Sequence, residues 1–239
     1  MRLLKLFLVV LGLVGQFNVQ ASSKKSFAES KKLLKAQHTS GGKSFYCGEK
    51  FNSKFEFRRF QEYRPSANYV KLPHMVEWGH IVSTENFGRH FKMWRKGHRK
   101  CVRSKGRRYK GRKCAKKVSA KFRKMEADRI NIVPAIGQVN ALRSKYNYFE
   151  IAGEKRAYGG CDIEIKGRKM EPPENRKGDV ARVYRYMAEK YEIEIISKEA
   201  KMVFDRWESL DPVSIDECRR VRKSQESLGI FEEICAGII

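Results

Sequence analysis

The sequence predicts an α+β fold, a small antiparallel sheet packed with helices in one domain. Strand-like runs are short and scattered through the first half of the chain, whereas the clearest helical periodicity comes late. No internal repeat is visible, and no stretch is rich enough in Pro, Gly or Ser to separate domains. The cysteines are six, an even number, and none forms a C-x-x-C pair, so staples are expected rather than zinc or dithiol chemistry.

The elements follow in order. Arg2 and Lys5 precede an apolar run from Leu6 to Val14, and a polar stretch ends in Val19-Gln20-Ala21. That is the pattern of a signal peptide, residues 1–21, cleaved after Ala21. A buried helix or an anchor is the alternative, but a span needs about 20 apolar residues and this run is about half that. No transmembrane segment is expected after its removal. Residues 22–44 form a basic N-terminal segment: Ser22 to Gln37 is Lys-rich and helix-permissive, and His38-Thr39-Ser40-Gly41-Gly42 breaks it. From residue 45 to 239 a single folded unit is expected. Phe45-Tyr46-Cys47, Lys54 to Phe57 and Asn68 to Leu72 look strand-like, and Met75-Val76-Glu77-Trp78 reads as a strand delivering His80. Phe87, Phe91 and Trp94 suggest a helix from about Thr84 to Lys96. After Pro172-Pro173, the residues Val180, Val183, Tyr184, Met187, Ala188 and Tyr191 follow helical spacing, and a further helix is expected from Lys198 to Trp207.

Charge narrows the partners. The chain carries 52 Lys and Arg against 27 Asp and Glu, a formal charge of +25, which becomes +23 once Arg2 and Lys5 leave with the leader. Such a charge favours phosphate-rich partners through counterion release, with anionic membrane surfaces as competitors. Between Gly88 and Glu126 there are eighteen Lys or Arg and no acid. Gly97, Gly106 and Gly111 make the middle of this run a loop, and Trp94, Tyr109 and Phe122 among the cations offer stacking surfaces for bases. In an exported chain the six cysteines read as three disulfides, although reduced core thiols would suit a cytosolic protein.

Among five histidines, His80 stands apart. It ends a strand-like run, precedes a helix and lies near the basic stretch, where an imidazole can take a proton from water attacking a phosphodiester. That reaction also needs positive charge opposite the pentavalent oxyanion, from a metal ion or an arginine.

The stretch Glu77-Trp78-Gly79-His80-Ile81-Val82-Ser83-Thr84-Glu85-Asn86-Phe87-Gly88-Arg89 resembles the signature of the endonuclease I family, bacterial periplasmic and secreted nucleases with a ββα-metal core. Further blocks agree in order: Met125 to Asp128, Asn131 to Asn140, Tyr158 to Cys161, and Glu171 to Met187. The likeness covers about Phe45 to Cys235. It implies His80 as general base, Asn140 as a magnesium ligand (or that of another divalent metal) and Arg99 as the arginine that steadies the cleaved phosphate. It implies DNA, and with it RNA, as substrate, cut without regard to sequence. The basic insertion at about 104–117 then supplies Arg107, Arg108, Lys110, Arg112 and Lys113 as phosphate contacts, with Arg176 and Arg182 beside them.

The chain departs from the family at particular places. Gly79 stands where the family has Glu, its second metal ligand. Ser83-Thr84 replace Pro-Ala, and Ala141-Leu142 replace Gly-Asp. Family cysteines are missing beside Cys47 (now Glu49), before the signature and near Met93, while Cys114 is extra. A second ββα-metal family, the sugar-non-specific nucleases with an Asp-Arg-Gly-His motif, also places Gly before its histidine and relies on one Asn and waters. The competing expectation is a nuclease-like protein of weak or no activity that binds nucleic acid or anionic surfaces. Six cysteines allow fifteen pairings. The expected set is Cys218 with Cys235 locally, Cys101 with Cys114 at the base of the insertion, and Cys47 with Cys161 as the long link.

Overall fold

The computed structural model describes residues 26–66, 72–153 and 155–238. The leader and most of the Asn68 to Leu72 run lie outside them. The chain opens with α1 (Phe27–Ala36), started by a capping box in which the Ser26 hydroxyl accepts from the Glu29 amide and the Glu29 carboxylate accepts from the Ser26 amide. Two short strands, β1 (Gly42–Lys43) and β2 (Lys50–Phe51), pair antiparallel around the turn that holds Cys47. The expected strand at Phe45-Tyr46-Cys47 is that turn, because Gly48 adopts a positive φ and its amide returns to Ser44. Lys54 to Phe57 is also a turn, contributing one isolated bridge from Glu56 to Met75.

A 3-10 turn at Leu72–His74 leads into β3 (Val76–His80). Helices α2 (Thr84–Gly88), α3 (Lys92–Lys96), α4 (Arg112–Val118) and α5 (Ala120–Glu126) follow, then β4 (Ile132–Ile136) and α6 (Gly137–Arg143). The single helix expected from Thr84 to Lys96 is broken in two. Phe91 takes extended angles between α2 and α3, and the bend folds the Trp94 indole onto Gly88, where any Cβ would overlap the ring. Strands β3 and β4 pair antiparallel, Gly79 opposite Val133 and His80 opposite Ile132. With α6 leaving the end of β4, they form the ββα element the signature implies.

Past α6 come β5 (Asn147–Tyr148), β6 (Glu164–Lys166) and β7 (Lys169–Glu171), in which β7 is central, antiparallel to β6 and parallel to β5. Helices α7 (Glu174–Lys190), α8 (Lys198–Leu210), α9 (Ile215–Lys223) and α10 (Phe231–Ile234) complete the chain. The periodicity read in the sequence is the buried face of α7: Val180, Val183, Tyr184 and Met187 are all in the core. One hydrophobic cluster extends from Leu34 on α1 to Cys235, so the basic N-terminal helix packs onto the same core as the ββα element.

Three disulfides join Cys47 to Cys161, Cys101 to Cys114 and Cys218 to Cys235, with Cα–Cα distances of 5.0, 5.5 and 5.7 Å. They are the pairs expected. Glu49, at a position where the family carries a cysteine, is buried, and its carboxylate accepts the backbone amides of Gln61, Glu62 and Tyr63, the last at 2.8 Å. Among the described residues, no helix is long and apolar enough to cross a membrane.

Candidate active site

The ends of β3 and α6 open onto a cleft of about 480 Å³, lined among others by Phe27, Glu77, His80, Arg112, Asn140 and Arg143. Alternation along β3 turns Glu77 and Gly79 to one side, Trp78 and His80 to the other. His80 is only 8% exposed, and Phe27 from α1 stacks on its ring with centroids 4.5 Å apart. The imidazole Nε2 lies 2.8 Å from the carbonyl oxygen of Glu126. A carbonyl only accepts, so the nitrogen facing it carries the proton and the other ring nitrogen keeps its lone pair.

Burial lowers the His80 pKa to about 3; the Glu126 carbonyl opposes this, and the charges of Arg112, Arg143 and Lys31 reinforce it. The ring is therefore neutral throughout the physiological range. Arg143 fixes the strand end from within, its guanidinium donating to the carbonyls of His80, at 2.6 Å, and Ile81. Glu126 has two parts in the site. Its carbonyl orients His80, and its buried carboxylate accepts from Arg112 Nε at 2.6 Å. Arg112 also lies over the Phe27 ring at 5.4 Å.

Asn140 stands one turn into α6, half-buried, facing β3. A Cβ on Gly79 would overlap its carboxamide oxygen and approach its Cγ to 3.0 Å. Gly79 has no left-handed backbone angle, so the glycine serves this close approach and not a turn. The carboxamide occupies the volume that a side chain at position 79 would take. The donor chemistry suits a hard cation: magnesium takes oxygen ligands and keeps several waters. Among the described residues no three His, Cys, Asp or Glu side chains converge as a cage. Asn140 with water is thus the oxygen-based arrangement that fits.

The other expected residues are placed as follows. Arg99 is exposed and outside the cleft lining, which takes in Arg112 and Arg143 instead. Arg107, Arg108, Lys110 and Lys113 are exposed within the loop closed by Cys101 and Cys114, the last of them in the first turn of α4. Arg182 does not face solvent: it is buried, bound to the Glu217 carboxylate through Nε at 3.0 Å, and offers nothing to a surface phosphate. Arg176 is half-buried over the Phe45 ring and pairs with Asp179 at 3.4 Å. Phe122 is fully buried and cannot stack on bases, whereas Trp94 packs against it and lines the cleft.

Phe27 and Glu126 do not stand out in the sequence. The Ser26-to-Glu29 capping box signals where α1 starts, but nothing local connects its first residue to His80. Glu126 lies in a block shared with the family, although its bond to His80 is a contact between distant segments.

Comparison with known proteins establishes the family. The family model described as Endonuclease I matches residues 20–229. A periplasmic deoxyribonuclease of Aeromonas hydrophila is 32% identical over 232 residues, covering 93% of this chain and 91% of that protein. An extracellular deoxyribonuclease of the same species is 28% identical over 221 residues, 89% of each chain. Endonuclease-1 of Buchnera aphidicola subsp. Acyrthosiphon pisum is 32% identical over 204 residues, 82% of this chain and 74% of that one. A match over most of the length, on a ββα element that carries the signature histidine, shows that this chain belongs to the endonuclease I family.

Proposed function

We propose that this chain is a periplasmic or secreted endonuclease that hydrolyses phosphodiester bonds of DNA and RNA without reading sequence, in a metal-dependent reaction with His80 as general base. The observation that carries the reading is the neutral His80, its proton directed at the Glu126 carbonyl, in a basic cleft beside Asn140. The relatives' names, periplasmic and extracellular deoxyribonuclease, support both compartment and substrate.

The free ring nitrogen of His80 accepts a proton from water as the water oxygen attacks phosphorus and the bond to the leaving oxygen breaks. The positive charges of Arg112, Arg143 and Lys31 oppose the imidazolium in the free enzyme. Substrate phosphates offset those charges and so remove the smaller part of the opposition, burial being the larger. The Arg112 guanidinium, steadied by Glu126, donates to the non-bridging phosphate oxygens and takes the part expected of Arg99. Asn140 would hold a divalent cation, which supplies charge opposite the developing oxyanion. The exposed cations of the insertion hold flanking phosphates, and such contacts carry no base specificity.

A plasmid-nicking assay tests this. Wild type should nick with magnesium and stop with a chelator, and His80→Ala should lose cleavage while retaining DNA affinity. Cleavage by His80→Ala at the wild-type rate would refute the base assignment. No cleavage by wild type with any divalent metal would leave a binder of nucleic acid.

A further inference from the structure

Two carboxylates line the cleft, Glu77 and Glu85. Glu85 is committed, accepting from Arg89 Nε at 3.1 Å and pairing with Lys145 at 3.6 Å. Glu77 is half-buried, and apart from the backbone pairing of β3 with β4 its side chain has no hydrogen bond or ion pair with any described residue. A half-buried, unpaired carboxylate in a cleft otherwise lined by Lys31, Arg112, Arg143 and Lys145 calls for a cationic partner.

Its position indicates which one. Glu77 lies two residues before Gly79 on β3, so its side chain leaves the strand on the side where Gly79 has none. A Cβ on Gly137 would come within 3.3 Å of the Glu77 Cγ, so the stem of Glu77 lies against the first turn of α6. Asn140, three residues after Gly137, is on the same side of that helix. The volume vacated by the missing side chain at 79 is thus approached by Asn140 from the helix and by Glu77 from the strand. Glu77 and Gly79 are about 7 Å apart along the strand. Magnesium holds inner oxygens at about 2.1 Å and keeps several waters, so a carboxylate about 4 Å from the ion accepts from its hydration shell.

We infer that Glu77 is the carboxylate of the cation site, sharing the ion with Asn140 across one of its waters and replacing the negative charge that Gly79 lacks. This rests on the reading that the cleft takes a divalent cation. Glu77 lies two residues back on the same strand face, and the Asn140 carboxamide occupies the space beside Gly79.

The test is binding of manganese alone to the nucleic-acid-free protein, followed by electron paramagnetic resonance of the free ion. Wild type should bind, Asn140→Ala should lose the site, and Glu77→Gln should weaken affinity about 10-fold or more, as loss of an outer-shell carboxylate does. Glu77→Asp, which keeps the charge and shortens its reach, should fall between, and it serves if Glu77→Gln does not fold. Glu85→Gln should change affinity little. Unchanged affinity in Glu77→Gln, with loss in Asn140→Ala, overturns the inference and leaves the cation reading standing. Equal weakening in Glu77→Gln and Glu85→Gln also overturns it, since overall cleft charge would then be the cause. Absence of manganese binding by wild type overturns both.

Discussion

Acid should destabilise this protein through His80, and the size of the effect follows from where the ring lies. Its pKa is lowered to about 3 in the folded protein, first by burial under Phe27. In the unfolded chain it returns to about 6.5. Above that pH the ring is neutral in both states and contributes no pH dependence. Below it the unfolded chain binds a proton that the folded protein refuses, so stability falls by about 1.4 kcal/mol per pH unit until the folded ring titrates near 3. From pH 6.5 to 4.5 the loss is about 2–3 kcal/mol, appreciable against a typical total of about 5–15 kcal/mol. The assay is urea unfolding by tryptophan fluorescence at pH 7.5, 6.5, 5.5 and 4.5 in chelator, for wild type and His80→Gln. Glutamine still donates to the Glu126 carbonyl but does not titrate, and the other titrating groups cancel in the comparison. The stability difference between the two proteins should shift by about 2–3 kcal/mol across the range, in favour of the variant at low pH. Parallel curves would show that His80 titrates alike folded and unfolded, and the argument for a neutral base in the cleft would fail.

Three further outcomes are expected. Replacing Arg107, Arg108, Lys110 and Lys113 by Ser should flatten the log–log salt dependence of DNA binding by about 0.9 for each phosphate no longer neutralised, whereas an unchanged slope means that the insertion does not touch nucleic acid. Arg182→Ala leaves the buried Glu217 carboxylate unpaired and should cost about 3–5 kcal/mol in urea unfolding with DNA affinity retained; a loss of affinity without destabilisation would return Arg182 to the binding surface. Gly79→Ala places a methyl group on the Asn140 carboxamide oxygen and should cut magnesium-dependent cleavage about 10-fold while the unfolding temperature holds, so full activity would mean that Asn140 turns aside freely.

What is legible in the sequence is what depends on local order. The helical face of α7 and the strand ending at His80 follow from local pattern, and the Cys218–Cys235 pairing from short spacing, while that of Cys101 with Cys114 also leans on the family resemblance. The helix expected across Thr84 to Lys96 fails because its apolar spacing is real but serves a corner, with Trp94 folded back on Gly88. Arg182 looks like a surface cation because its partner, Glu217, lies on a different helix, and sequence alone does not show which charges neutralise one another inside. Family membership is readable from ordered blocks, since each block keeps its own spacing. Which arginine lines the cleft is not, because it depends on the path of the 98–111 loop, which brings Arg112 and not Arg99 to that lining.

Glu49 has a consequence for how the protein is put together. A disulfide constrains the chain even when it is unfolded, and it forms only where an oxidant is present. The Glu49 carboxylate instead collects the amides of Gln61, Glu62 and Tyr63, which converge only in the finished fold. The Glu49 contacts therefore add to the hold of the Cys47–Cys161 bond beside them without needing an oxidant of their own.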